Sequence, residues 1–331
     1  MPLISVVIPV FNGERTIKET IESVLNQTLT DFELIIINDG SQDLTLEAIL
    51  SIKDNRIQVY SYPNAGLAAS RNRGIVHAAG EYIAFIDADD LWTPEKLEAQ
   101  LHALQTHPDA AVAYSWTDYI DEYSQFLRRG SHITVNGNIY SHLLVIDFLE
   151  NGSNPLIRKQ AFVEVGNFDE SLTAAEDWDL LLRVASRYHF VCVPSPQILY
   201  RISTNSMSAN VLQQEAETLK VINRAFNQAP QALQYLKKQS LANLYKYLTY
   251  KAMAGQTKTE NGLTAARFFL RAVINDPSLL RAKVIGKVLF KIFAMILLPP
   301  QIAQSTIAKF KNLSDTTTLL GYIQKLDTLE S

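Results

Sequence analysis

The residues with the clearest chemical potential lie at Tyr82 to Asp90, where the apolar run Tyr82-Ile83-Ala84-Phe85-Ile86 breaks off into Asp87-Ala88-Asp89-Asp90. An unbroken apolar run of this length reads as a strand covered on both faces, so the three carboxylates stand where that strand leaves the core. Clustered carboxylates repel one another and call for a cation or strong donors; a hard divalent metal holding a substrate diphosphate would satisfy them. The other reading is a polar loop ahead of a helix begun by Thr93-Pro94, with Thr93 as its N-cap. A second acid pair, Glu176-Asp177, stands just ahead of an amphipathic pattern carrying Leu180, Leu181 and Val184. A helix N-terminus favours an ionised carboxylate there, whereas mutual repulsion would raise the pKa of one of the two, which suits proton transfer. Simple preference for acids at a helix start is the alternative.

Carboxylates act only when something fixes them, and the first half of the chain repeats one positioning device: a buried apolar run, a polar break, then an amphipathic helix. Leu3 to Pro9 leads through Asn12-Gly13-Glu14 into a helix with Ile17, Ile21, Val24 and Leu25 on one face. Phe32 to Ile37 ends in Asn38-Asp39-Gly40-Ser41, ahead of Leu46, Ile49 and Leu50. Ile57 to Tyr62 ends in Pro63-Asn64-Ala65-Gly66, ahead of a small-residue helix from Leu67 to Ala79 closed by Gly80. The run from Tyr82 is the fourth unit. This alternation predicts an α/β fold, a mainly parallel sheet with helices on both faces. Such sheets bind ligands beyond the carboxyl ends of their strands, so the four breaks are expected to form one site.

Several chemistries are excluded by what is missing. The first break reads Pro9-Val10-Phe11-Asn12-Gly13-Glu14, without the G-x-G-x-x-G of a dinucleotide site, and no G-x-x-x-x-G-K-[ST] occurs. Lacking a glycine cradle and its lysine, a bound nucleoside diphosphate would need a metal for neutralisation. The six histidines do not pair at zinc-ligand spacing, and no G-x-S-x-G elbow is present. The single cysteine, Cys192, falls in a buried-strand pattern and fits a reducing compartment. Basic residues in the first 200 positions are too scattered for nucleic acid.

The stretches Val6-Val7-Ile8-Pro9-Val10-Phe11-Asn12-Gly13-Glu14, Ile37-Asn38-Asp39-Gly40-Ser41, Asn64-Ala65-Gly66-Leu67-Ala68-Ala69-Ser70-Arg71-Asn72 and Phe85-Ile86-Asp87-Ala88-Asp89-Asp90 resemble, in order and spacing, the motifs of family 2 glycosyltransferases. Val165-Gly166-Asn167-Phe168-Asp169-Glu170 with Glu176-Asp177-Trp178-Asp179 is similar to the acceptor-side motif of the same family. The resemblance covers residues 3 to 208 and implies a GT-A fold, a Rossmann-like sheet. It also implies inverting transfer of a sugar from a nucleoside diphosphate sugar, commonly UDP-linked, with Mn2+ or Mg2+ as cofactor. By this resemblance Pro9, Val10, Phe11, Asn12 and Glu14 hold the nucleoside, Asp39 accepts from the base and Arg71 contacts the nucleotide. Asp87 binds the ribose with Ala88 beside it, Asp89 coordinates the metal, and Asp90 supports. The alternatives for two of these are a helix cap at Asp39 and a surface ion pair at Arg71. Inverting transfer needs a base for the acceptor hydroxyl; the motif match gives Asp177 that role, with Glu176 as its neighbour.

The chain also departs from the family pattern. Leu199-Tyr200-Arg201 is followed by Ile202-Ser203-Thr204-Asn205-Ser206 where many relatives carry a metal- or diphosphate-binding histidine. Arg201, Ser203 and Ser206 are the candidates to replace it, and Asn167 stands where a second glycine is common. Sugar choice is expected from side chains around Asp89, Asn154 and Trp178. A nucleotidyltransferase on a similar sheet and a sugar-nucleotide-binding scaffold without turnover are the competing functions.

The expected organisation is a catalytic domain over residues 1–210, with a nucleotide half to about 110 and an acceptor half beyond, and a helical region over 211–331. Its Leu241–Ala254 and Leu263–Ile274 patterns predict a helical hairpin. From Arg281 to Lys311 six basic residues occur and no acid. Lys283, Lys287 and Lys291 recur every fourth residue opposite Val284, Val288, Ile292 and Phe293, which predicts a basic amphipathic helix for either an anionic membrane surface or a packing partner, including a second copy of the chain. Met1-Pro2-Leu3-Ile4-Ser5 running straight into the first strand suggests a cytoplasmic chain; the basic segment would place it at the inner face of the plasma membrane, and the functional reading gives a cell-surface glycan or lipid-linked acceptor.

Overall fold

The computed structural model describes residues 1–202, 210–255, 257–323 and 326. The chain divides into two compact units, Met1–Leu143 with Asp147–Thr204, and Leu144–Ile146 with Asn205–Ser331.

The first unit runs β1 (Ile4–Val10), α1 (Ile17–Leu25), β2 (Phe32–Asn38), α2 (Thr45–Leu50), β3 (Ile57–Ser61), α3 (Leu67–His77), β4 (Tyr82–Phe85), β5 (Leu91–Trp92), α4 (Lys96–Thr106), β6 (Ala110–Ile120), β7 (Phe126–Arg129), α5 (Tyr140–Val145), β8 (Leu156–Arg158), α6 (Lys159–Val165), α7 (Glu176–Ala185) and β9 (His189–Arg201). One nine-stranded sheet has the order β3-β2-β1-β4-β8-β6-β9-β5, with β7 on β6. β1 to β4 are parallel, as the repeated units require. β1, β2 and β4 are buried at every position, which is why they read as unbroken apolar runs. The second half is mixed: β8 is antiparallel to both β4 and β6, so β6 runs in the direction of β4, and β5 is antiparallel to β9.

Register sets the site. Val10 pairs with Asn38 and Asn38 with Ser61, so β1, β2 and β3 end level, while β4 stops at Phe85 opposite Val7. The chain after β4 therefore turns beneath the overhanging end of β1. α1 buries Ile17, Ile21 and Val24 at helical spacing against the sheet. α3 comes closer still, because a Cβ on Gly74 would lie 2.2 Å from Val7 Cγ1; any side chain there would push the helix off β1. The expected cap at Thr93 does not form: Thr93 N donates to Gln197 O at 3.0 Å, and α4 starts at Lys96. Pairing with β9 wins over capping because β5 has already joined the sheet.

The second unit contains α8 (Val211–Gln228), α9 (Leu236–Ala254), α10 (Thr259–Asn275), α11 (Ile285–Leu297), α12 (Pro300–Lys309) and α13 (Lys311–Ser314). α9 and α10 pack as a hairpin around Leu244, Leu248, Ala265, Phe268 and Ala272, somewhat longer than the sequence pattern indicated. α11 departs from its reading. It buries Val284, Val288, Ile292 and Met295, with Lys287 and Lys291 only half-exposed beside that face and near Asp315, so the lysines flank the packed side instead of opposing it.

Candidate active site

The strand ends are tied to one another before any acid is considered. Asp39 N donates to Val10 O at 2.8 Å, and Tyr62 N donates to Asn38 O at 2.9 Å, linking β1, β2 and β3 just past their last residues. Pro9 and Val10 are buried in β1, whereas Phe11, Asn12 and Glu14 are exposed. Asn12 takes φ 51° and donates from its backbone N to Ser41 Oγ at 3.0 Å, and its side-chain oxygen accepts from Gln42 N at 2.8 Å. Glu14 accepts from Leu44 N at 3.0 Å. These contacts fix the rim, with the Gly13 and Glu14 amides also donating, to Thr45 Oγ1 and Asp43.

Asp39 is almost fully buried. It accepts from Ala65 N and Gly66 N at 3.0 and 2.9 Å and pairs with Arg73 at 2.8 Å. It therefore sits at the start of α3, not of α2, the helix that follows it in sequence. The carboxylate satisfies amides at a helix N-terminus, a favourable place for negative charge.

The Asp87–Asp90 turn is braced by Ser153, Thr20 and Arg201. Asp87 N donates to Ser153 Oγ at 3.0 Å, and Ser153 Oγ donates to Asp90 Oδ2 at 2.5 Å. Trp92 Nε1 donates to Ser153 O at 2.8 Å. The Thr20 hydroxyl lies 3.0 and 2.9 Å from the Ala88 and Asp90 carbonyls. Arg201 Nε donates to Asp89 O at 2.7 Å, and its backbone N donates to Asp90 Oδ1 at 3.0 Å. Asp90 is fully buried; that burial, with the charges of Asp89 and Asp87, raises its pKa well above the ordinary value. Asp89 is pushed up to about 6, first by burial and then by the charge of Asp87, with Arg201 opposing. Among the described residues no three or more acidic, histidine or cysteine side chains gather as a metal cage. Two carboxylates, Asp87 and Asp89, do present hard oxygen donors, and these suit a Mg2+- or Mn2+-type ion that draws the rest of its shell from water and phosphate.

Arg71 joins the two acid runs. Its guanidinium is 1% exposed, 2.7 Å from Asp87 Oδ1 on one side and 2.7 Å from Glu176 Oε1 on the other. The Phe168 ring lies under it, 5.3 Å away. Gly152 permits this fit: a Cβ there would stand 2.4 Å from Arg71 Nη2. Burial would lower the Arg71 pKa, but the charges of Asp87, Glu176 and Asp177 outweigh it and raise it, so the residue stays cationic. The surface ion pair considered from the sequence is thus a buried bridge. Asn72, one residue on, clamps the Phe168 backbone with bonds of 3.0 Å in both directions.

Glu176 and Asp177 begin α7 after Ala175, which takes φ 59°. Burial first, then the neighbouring charge of Asp177, lifts Glu176 to about 7 against the pull of Arg71. Asp177 is only partly covered and accepts from Trp178 N at 2.8 Å; burial raises its pKa while Arg71 draws it back.

Other candidates are placed differently from expectation. The Arg201 guanidinium is committed to Asp89 O, Ser124 Oγ and Glu19, the last at 2.8 Å, and so is not free to close over a diphosphate. Ser203 and Ser206 lie outside the described residues. Asn154 is buried on the backbone of Ser115, and the Trp178 indole donates to Leu143 O at 2.9 Å. Sequence reasoning missed the Gly152-Ser153 corner, whose only signal was a run of small polar residues before β8. It also missed Asp147, whose pKa is raised well above the ordinary value by burial and then by the charge of Asp177.

Residues 5–252 match the family model described as glycosyltransferase like family 2. An uncharacterised glycosyltransferase of Rickettsia bellii is 35% identical over 195 residues, 56% of this chain and 28% of that protein, so the match spans under a third of that relative's length. Among solved structures, a mannosyltransferase from Pyrobaculum calidifontis in complex with GDP-Man and Mn2+ aligns at TM-score 0.59 with 17% identity, covering 97% of this chain and 88% of the other. Staphylococcus aureus TarS 1–349 in complex with UDP-GlcNAc aligns at 0.53 with 15% identity, covering 96% and 90%. The fold is that of GT-A glycosyltransferases, and the chain belongs to the glycosyltransferase family 2-like group of transferase enzymes.

Proposed function

We propose that the chain is an inverting, metal-dependent glycosyltransferase that moves a sugar from a UDP-sugar to a hydroxyl of a cell-surface glycan or lipid-linked acceptor at the inner face of the plasma membrane. The observation that carries this reading is the Arg71 bridge, which holds Asp87 and Glu176, 89 positions apart in sequence, on one buried guanidinium. Solved neighbours of like fold that hold UDP-GlcNAc, or GDP-mannose with Mn2+, support a nucleotide-sugar donor.

In this reading residues 1–110 carry the donor and residues 111–210 the acceptor side. Pro9 to Asn12 and Glu14 present the rim against which the nucleoside lies, with the exposed Phe11 ring available for stacking. Asp39, held by the Ala65 and Gly66 amides and by Arg73, accepts from the base N–H. Asp87, already neutralised by Arg71, takes the ribose hydroxyls, and Ala88 passes close beneath Gly13. Asp89, braced by the Arg201 clamp on its carbonyl, would hold the metal. A bound Mn2+ or Mg2+ would supply the charge that stabilises the departing diphosphate. Asp177 takes the proton from the acceptor hydroxyl as that oxygen attacks the anomeric carbon from the face opposite the diphosphate. Arg71 ties the Asp177 helix to the Asp87 turn, so that base and donor share one fixed frame.

The test is a panel of nucleoside diphosphate sugars, titrated and assayed with Mn2+, with Mg2+ and with chelator. Binding of one UDP-sugar that needs metal, with turnover abolished by chelator, is the expected result. Tight binding of a GDP-sugar would reassign the base contact at Asp39, and no binding of any sugar nucleotide would refute the donor site.

A further inference from the structure

α11 carries two apolar stripes, and the second unit covers only one. Val284, Val288, Ile292 and Met295 are buried. On the opposite side Gly286, Phe290, Phe293 and Leu297 follow one another at intervals of four, three and four, the spacing of a single helix face. Phe293 is 54% and Leu297 72% exposed. Phe290 meets Phe310 at a ring distance of 6.1 Å, which continues the stripe to Phe310 and, one turn on, to Leu313, themselves 44% and 51% exposed. An exposed apolar stripe of this length, outside the packed face, calls for an occupant.

We propose that this face docks on an anionic lipid surface. Charge selects that occupant. Arg281, Lys283 and Lys309 are exposed, Lys309 with its ammonium 5.8 Å from the Phe310 ring, and the chain from 281 to 314 contains no acid. Asp315, the first acid beyond it, is held low by Thr317 and then by Lys287 and Lys291. A second copy docked about a twofold axis would set these cations against one another, whereas phospholipid headgroups supply the complement. α11, with 13 residues, spans about 20 Å and is too short to cross a bilayer of about 30 Å, and no helix of the described residues is long and apolar enough to do so. The helix therefore lies in the interface, Phe293 and Leu297 inward and the cations at headgroup level.

This deepens the membrane-side placement proposed above, yet it is measured without any donor, so its failure would leave the transfer chemistry standing. The full chain is sedimented with vesicles of phosphatidylcholine alone and with about one third phosphatidylglycerol, at low and high salt. The expected result is partition onto the anionic vesicles that weakens with salt, falls at least tenfold in the Phe293→Ser, Leu297→Ser double variant, and falls about tenfold in Lys283→Glu, Lys309→Glu. Thermal unfolding of both variants should match the parent, because the replaced side chains are exposed. Absence of partition, or equal partition by the Phe293, Leu297 variant, overturns the proposal. So does a concentration-dependent dimer that the same variant dissolves while vesicle binding is unchanged; that result assigns the face to a second copy.

Discussion

The Asp87–Asp90 turn and the Glu176-Asp177 helix start are both runs of adjacent acids, and they are held in opposite ways. The turn is fixed by backbone and hydroxyl contacts from Ser153, Thr20 and Arg201, reaching across 63 to 111 positions of sequence. At the helix start the acid Glu176 is held by a side chain, the Arg71 guanidinium. Within each run the labour is divided alike. One acid is spent on the protein, Asp90 or Glu176, and its neighbour, Asp89 or Asp177, keeps solvent access. The lesson is that a cluster of carboxylates is not a uniform site; the acid with the fewest protein partners is the one left for chemistry.

The harshest way to break this comparison is to remove the part the two runs share. Arg71→Met leaves Asp87 and Glu176 without their buried cation and should cost about 3–5 kcal/mol of stability, read from denaturant midpoints, with donor binding and turnover falling together. A variant that loses turnover at unchanged stability would mean that Arg71 acts on the nucleotide directly. The next contrast separates neighbours. Asp89→Asn should weaken metal-supported nucleotide binding at least a hundredfold, roughly the upper end for loss of a coordinating or supporting group. Asp90→Asn should change it only a few-fold, since Asp90 is already held towards its neutral form, and the amide oxygen can accept from Arg201 N while the amide NH2 donates to Ser153 Oγ. Equal effects in calorimetric titrations would erase the proposed division of labour.

Most of the frame was legible because it is local. Each N-terminal strand announces itself as an apolar run, and each polar break follows at once, so β1 to β4 and the site edge could be read from windows of a dozen residues. The acid runs were visible for the same reason. What could not be read depends on distant segments. The Gly152-Ser153 corner holds Arg71, Asp87 and Asp90 through contacts between residues more than 60 positions apart, without a motif of its own. Arg201 looked like a candidate for the diphosphate because its sequence neighbours gave no hint that Glu19 and Ser124 would engage it. In α11 the fourfold lysine spacing drew attention from the second apolar stripe, since both lie on one helix and only packing decides which face is covered.

Two smaller effects sharpen the picture. Gly152→Ala places a methyl against a guanidinium that cannot retreat, and should destabilise by about 1–3 kcal/mol while leaving the acids themselves intact. Finally, in the proposed site protons would compete with metal at Asp89. With burial and the charge of Asp87 holding that carboxyl up to about 6, metal-supported binding should be flat above neutral pH and fall as pH drops through that value, up to tenfold per unit. A fall confined to the range of an ordinary carboxylate, near 4, would show that Asp89 is not the group concerned.

The central claim is that binding and proton removal reside in different acids, and Asp177→Asn tests it most directly when donor affinity and turnover are measured on the same preparation. The account predicts donor binding within a few-fold of the parent and turnover reduced by about 10²–10⁴, the range for loss of a general base. Turnover near the parental rate, or loss of donor binding in step with turnover, would contradict it.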